Sequence, residues 1–126
     1  MFKLAIIGLG GFLGAISRYA VSGLVQRWSD SAFPYGTLAV NIIGCFLLGM
    51  VMYLVQVRGP FGPTMRAFLT IGLFGAFTTY STFGYETYEL IISREFLPAL
   101  MSVGLHLVLG LAAVWLGTMV VKALGI

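Results

Sequence analysis

Ser102 and His106 stand four residues apart inside the last apolar stretch, so on a helix they share a face and could be read as a nucleophile and its base. The rest of the chain gives that pair little support. There is no Gly-x-Ser-x-Gly turn, and Asp30, the acid that would have to orient an imidazole, stands alone in a distant polar stretch. One His per chain also supplies only one axial ligand to a haem. Residues 72–86, Gly-Leu-Phe-Gly-Ala-Phe-Thr-Thr-Tyr-Ser-Thr-Phe-Gly-Tyr-Glu, offer a different chemistry. Glycines, hydroxyls and aromatic rings replace the aliphatic residues that an uninterrupted lipid-facing helix would carry. Such a composition predicts a helix that unwinds near Gly75 to Thr79, and freed backbone is tolerated at that depth only where it meets protein, water or an ion. Thr37 and Asn41, again four apart, put a second polar face inside an apolar run, and Arg18 puts a cation near the end of another.

These groups are positioned by elements that lipid must solvate. Of 126 residues, 60% are hydrophobic and 9% charged, and the mean hydropathy is +1.02, too apolar for a water-soluble domain of this size. A bilayer core of roughly 30 Å needs about 20 residues per helical crossing, so four crossings use nearly the whole chain and leave no room for a soluble catalytic domain. The pattern predicts an all-α membrane protein with one transmembrane domain over residues 1–126, its helices near 4–25, 36–57, 66–92 and 97–122. Gly8, Gly10, Gly11 and Gly14 give the first helix a small-residue face, with Gly10 and Gly14 at the spacing that lets helices approach closely in lipid. Trp28-Ser29-Asp30-Ser31 reads as a polar loop, residues 58–63 as a stiff Gly/Pro turn with Arg58 at the interface, and Ser93-Arg94-Glu95 as the last turn.

Several function classes fall away on composition. The net charge of +3 comes from Lys and Arg scattered singly, with no basic run or face for nucleic acid. Cys45 alone makes neither a disulfide framework nor a thiolate cluster. No Gly-x-x-x-x-Gly-Lys loop is present for a nucleotide. Met1-Phe2-Lys3 and the apolar run behind it resemble a signal peptide with a weak cleavage site at Ala20-Val21-Ser22, but Ser17 and Arg18 late in the run favour a retained helix.

Four crossings put Lys3, Arg58, Arg66 and Lys122 on one side and Arg27, Arg94 and Arg18 on the other, a weak bias for a rule that sets orientation by short-loop cations. Insertion both ways round is therefore plausible. An antiparallel pair of copies would then reproduce the inverted symmetry that larger transporters build from internal repeats.

Gly-Thr-Leu-Ala-Val-Asn-Ile-Ile-Gly at 36–44 and the 72–86 segment together resemble the signature segments of the Fluc (CrcB) fluoride channels. The likeness extends over the full chain, including the glycine-rich start, Arg18, the four-span plan and the Ser-x-x-x-His pattern of the last helix. It implies a passive channel of the inner (plasma) membrane that exports fluoride, not an enzyme, built as a dual-topology antiparallel homodimer in lipid with two pores. It also implies one structural sodium ion at the dimer centre, held by backbone carbonyls of Gly75 and Thr78 from both copies. The pore residues so implied are Asn41, Tyr80, Ser81, Thr82, Phe83 and Glu86, with Thr37, Arg18, Ser102 and His106 as secondary candidates. Ring edges at 80 and 83 present the positive end of the aromatic quadrupole to an anion, and the Asn41 amide can replace its water.

This sequence departs from the family at two places. Tyr80 stands where Phe is usual and adds a hydroxyl, either a further donor or a group bonded elsewhere. Gly110 and Val114 stand where Ser or Thr often continues a polar track along the last helix. Glu86 must be hydrogen-bonded aside, protonated in part, or able to rotate as an anion passes. Arg18 either raises the potential of a vestibule or bonds within the protein. Small multidrug exporters share the short four-span plan, but they are expected to carry an essential acid in the first helix, and here that helix has none.

Overall fold

In the computed structural model, which describes residues 1–57, 59 and 61–125, the chain is all-helical. The helices are α1 (Phe2–Ser29), α2 (Tyr35–Val57), α3 (Pro63–Ala67), a π-helical segment (Phe68–Leu73), α4 (Phe74–Phe77), α5 (Tyr80–Ile92) and α6 (Phe96–Ala123). Among the described residues, α1, α2 and α6 are each long and apolar enough to cross a membrane. The remaining crossing is assembled from α3, the π-helical segment, α4 and α5 in succession. The turn expected at 58–63 lies partly outside the described residues, because Arg58 and Pro60 do.

Two boundaries differ from expectation. The first helix continues to Ser29, so Trp28 and Ser29 belong to it and the loop starts at Asp30, which closes the helix in the left-handed region at φ 43°. Gln26 and Arg27 are good helix formers, and leaving the hydrocarbon does not by itself end a helix. Gln26 then ties the loop down: its Nε2 donates to the carbonyls of Ser31 at 2.7 Å and Phe33 at 3.1 Å, and its Oε1 accepts from Gly36 N at 3.0 Å. The third span starts at Pro63, not Arg66, since proline at the first helical position lacks only an N–H that would be unpaired there.

Hydrophobicity is turned outward, as lipid demands. Leu100, Leu107, Leu111 and Trp115 of α6 are all exposed, while its buried residues are mostly small: Ala99, Ser102, Ala113 and Gly117. Close backbone approach does the packing. A Cβ on Gly10 would lie 2.7 Å from the Phe68 carbonyl oxygen and 3.1 Å from Gly72 Cα, and one on Gly14 would strike the Leu73 carbonyl, so α1 lies directly on the π-helical segment and α4. Gly49 of α2 meets the Val114 backbone, and Gly117 of α6 meets Phe46, which brings α2 and α6 together in the same way. Gly8 and Gly11 of the first-helix glycine face have no such neighbour and point away from the packed side.

The hairpin of α5 and α6 turns tightly. Arg94 takes the left-handed position at φ 61°, its N–H bonds to Ile91 O, and Glu95 N bonds to Leu90 O at 2.8 Å, a complete Schellman closure without glycine. Pro98 falls in the first turn of α6, where proline costs little.

Candidate functional site at the helix break

The helical path stops at Thr78 and Thr79, which are extended at φ −85°, ψ 158° and φ −150°, ψ 109°. This lies inside the expected 75–79 interval and is narrower than it. The cause is visible in the donors. Thr79 N–H, which a continuous helix would give to the Gly75 carbonyl, goes instead to Asn41 Oδ1 at 2.7 Å, and Asn41 Nδ2 donates back to the Thr79 carbonyl at 3.1 Å. One carboxamide thus pairs with both polar groups of one backbone unit, 38 residues away. Thr82 N–H, the normal partner of the Thr78 carbonyl, is taken by Thr79 Oγ1 at 3.3 Å, an N-cap that starts α5. The carbonyls of Gly75 and Thr78 therefore lose their ordinary helical donors. Carbonyl oxygens freed in this way are hard donors of the kind a cation could use.

Hydroxyls continue the polar seam. Thr79 Oγ1 donates to Thr82 Oγ1 at 2.8 Å, which leaves the Thr82 hydroxyl hydrogen available to something else. Ser81 and Tyr80 are exposed, Tyr80 at 83%. Thr37, only 3% exposed, donates to Glu86 Oε1 at 2.9 Å, so Thr37 does not bond its own helix and one carboxylate oxygen is held aside, while Oε2 is buried with no partner among the described residues. Thr78 Oγ1 turns back to Phe74 O at 3.0 Å, and its methyl fills the space above Gly44.

The aromatic pair is formed: the Tyr80 and Phe83 rings lie 5.6 Å apart at 58°, and Phe83 sits 4.2 Å from the His106 ring. His106 Nδ1 contacts the Ser102 carbonyl at 2.9 Å, and because a carbonyl only accepts, Nδ1 carries the hydrogen. The nucleophile-and-base reading of Ser102 and His106 fails on this geometry, since the imidazole meets the serine's backbone while its hydroxyl, fully buried, lies 3.2 Å from Thr87 Oγ1.

Three cavities run past these groups. One of about 440 Å³ is lined by Asn41, Thr78, Thr79, Tyr80, Phe83 and His106 among others. A second, about 410 Å³, is lined by Arg18, Ser22, Gln26, Thr37, Thr79 and Thr82. Thr79 lies on the walls of both. The third, also about 410 Å³, shares Thr37 with the second and is walled by Glu86, Glu89 and Glu95. Arg18 makes no ion pair or hydrogen bond among the described residues and lines the second cavity.

All of the expected residues except Ser102 and the more distant Gly75 thus line these cavities or border the break. Thr79, expected only as the end of the unwound interval and not as a site residue, is central; the signal was its place three residues before Thr82 at a helix start, the spacing of an N-cap. Gln26, on two cavity walls, had no signal in its surroundings beyond being polar in an apolar helix.

Residues 5–118 match the family described as CrcB-like protein, Camphor Resistance (CrcB). A protein of Methanosarcina acetivorans, Fluoride-specific ion channel FluC 1, is 48% identical over 93% of this chain and 88% of its own length. Fluoride-specific ion channels FluC of Geobacter sp. and Hydrogenovibrio crunogenus are 44% and 42% identical, covering 98% and 93% of this chain and 100% and 89% of theirs. With the match running through every helix and the broken third span at its centre, the chain belongs to the CrcB family.

Proposed function

We propose that this chain is a multi-pass protein of the cell membrane that conducts fluoride passively out of the cytoplasm, as a channel and not as an enzyme. The observation that carries the proposal is the mid-membrane break of the third span, bordered by unspent hydrogen-bond donors, in a chain 48% identical to a fluoride-specific channel. Neutral hydrogen fluoride enters cells and ionises there, so a pore and a negative-inside potential suffice for expulsion.

Fluoride holds its water tightly, and a path that admits it must replace those hydrogen bonds. The second N–H of Asn41, the free hydrogens of Ser81 and Thr82, and the ring edges of Tyr80 and Phe83 are the groups that do so. Arg18 raises the local potential at the second cavity, and the tether from Thr37 keeps one oxygen of Glu86 occupied. His106 and Ser102 flank this line on α6. Chloride, larger and more weakly hydrated, gains less from closely spaced donors, so selectivity arises from the narrow donor-lined path and not from net charge.

The working unit is an antiparallel homodimer with two pores. Its support is the near-balanced loop charge and the position of Tyr80, a large aromatic left uncovered beside the break. The Gly75 and Thr78 carbonyls of two copies would hold one sodium ion, whose charge would satisfy oxygens that the break has stripped of donors.

Fluoride and chloride efflux from proteoliposomes, followed with ion-selective electrodes, tests the reading. Wild-type protein should release fluoride and retain chloride, while Phe83→Ile and Asn41→Asp should each abolish fluoride release with the dimer still assembled. Normal efflux from both variants would remove the pore lining, and a fluoride-silent wild type would remove the function.

A further inference from the structure

Among the described residues, one hydrogen bond between side chains joins α5 to α6, the Thr87 Oγ1···Ser102 Oγ contact at 3.2 Å. Both residues are almost wholly buried, Thr87 at 8% exposure and Ser102 at 0%. Hydroxyls at that depth need each other, because lipid provides no substitute partner. Their place in the hairpin gives the bond a second consequence. The helices run antiparallel, so one turn from Thr87 towards the break is Phe83, and one turn from Ser102 along α6 is His106, and these two rings meet at 4.2 Å. Ser102 joins the two levels: its hydroxyl bonds to Thr87, and its carbonyl accepts Nδ1–H of His106 at 2.9 Å. The Schellman turn at Arg94 fixes only the far end of the hairpin. The backbone contacts of α6 with α2 lie at Val114 and Gly117, about two turns or more beyond His106, and at the level of Ser102 the contact that joins α6 to α5 is polar.

We propose that Thr87 and Ser102 are a positioning pair, which holds His106 against Phe83 and thereby fixes the placement of the Phe83 ring on the fluoride path. The inference rests on the reading of Phe83 as pore lining. Thr87 touches no cavity described above and acts only through Ser102 and His106. When its hydroxyl is removed, Ser102 is free to bond back into its own helix, as serine does when no other partner is present, and the carbonyl that orients His106 shifts with it. The Phe83 ring then loses the surface it rests on.

The test compares Thr87→Val, which keeps the volume and deletes the hydroxyl, with Thr87→Ser, Ser102→Ala, the Val/Ala double variant and Thr87→Val in a His106→Leu background. Fluoride and chloride efflux are measured in liposomes, alongside elution of the dimer in detergent and parallel assays of wild type and Phe83→Ile. Thr87→Val and Ser102→Ala should each slow fluoride efflux by about tenfold, the scale of one lost hydrogen bond. The double variant should be no slower than either single one, Thr87→Ser should recover most of the rate, and Thr87→Val should add nothing once His106 is replaced. A general packing defect would give additive losses, no rescue by serine and the same loss with or without His106, and any of these overturns the positioning role. Should Thr87→Val fail to fold, Ser102→Ala and the serine rescue decide the matter. Wild-type rates in both single variants, with Phe83→Ile inactive, sink the positioning pair alone; an active Phe83→Ile sinks the pore reading with it.

Discussion

The two halves of the third span are held by opposite means. Before the break, Pro63 to Phe77 lies against α1 through glycines, with Gly10 and Gly14 so close to the Phe68 and Leu73 carbonyls and to Gly72 that no side chain fits between. After the break, α5 is held by polar side chains: Asn41 on Thr79, Thr37 on Glu86, Thr87 on Ser102. Both are ways of associating helices in lipid, one by van der Waals contact of backbones and the other by hydrogen bonds that have no competing solvent. The division teaches where rigidity and chemistry have been placed. A glycine contact leaves nothing for an ion to touch, whereas side chains bonded at one end keep hydrogens or lone pairs at the other.

The largest effect expected from this difference is on the glycine side. Gly14→Val puts carbon into the Leu73 carbonyl, and backbone cannot yield as a side chain can, so a cost of several kcal/mol and loss of the folded species in detergent chromatography are expected. Gly8→Val, six residues up the same helix and open to its surroundings, should elute as wild type. Equal behaviour of the two variants would mean that α1 packs through a different face.

On the polar side the next largest loss is expected from Asn41→Ala. It strands both the N–H and the carbonyl of Thr79, each worth about 1–3 kcal/mol when buried without a partner, so thermal unfolding should come markedly earlier and fluoride efflux should cease. Asn41→Asp keeps the acceptor for Thr79 N–H but turns a second acceptor towards the Thr79 carbonyl, and it should be equally inactive. A variant with alanine at 41 that melts like wild type would show that the break is held by something other than this carboxamide.

How far these features could be read from the chain depends on how local they are. The Gly10/Gly14 face, the unwinding near 75–79 and the shared face of Thr37 and Asn41 follow from spacing and residue type, and the structure carries each of them. The π-helical segment at Phe68–Leu73 was not legible, because it accompanies the crossing of Gly10 over Gly72, a contact between residues 62 positions apart that no window along the chain can register. Asn41 was legible as a polar group facing inward but not as the partner of Thr79, for the same reason. Ser102 and His106 were correctly paired by periodicity, yet periodicity cannot tell a hydroxyl from a carbonyl as the atom that the imidazole meets.

A smaller effect is expected from Thr37→Val. The substitution preserves shape and removes the one bond that restrains Glu86 among the described residues, so stability should fall by about 1 kcal/mol, while fluoride efflux should change by more than stability does, because an untethered carboxylate can turn into the anion path. Melting temperature and efflux measured on the same preparation separate the two. If both stay at wild-type values, the Thr37–Glu86 bond contributes neither restraint nor stability.

The smallest effect is predicted where the two modes of association meet on α6. Gly110 and Gly117 are seven residues apart and therefore near one face, yet a Cβ at 117 would strike the Phe46 carbonyl, whereas one at 110 would lie 3.8 Å from Cys45 Sγ, an ordinary contact. Gly117 belongs to the packing, and Gly110 does not. Cys45 also lines the cavity beside Phe83 and His106, so a hydroxyl introduced at 110 comes close to the proposed path and extends its row of donors. Gly110→Ser should therefore leave thermal stability within about 0.5 kcal/mol of wild type, as a substitution into open space does, and should raise fluoride efflux modestly with chloride still excluded. Gly117→Ser, made as its counterpart, should not fold. A Gly110→Ser protein that folds but conducts less would place the path away from α6 at this level and confine the donors to α2 and the two sides of the break.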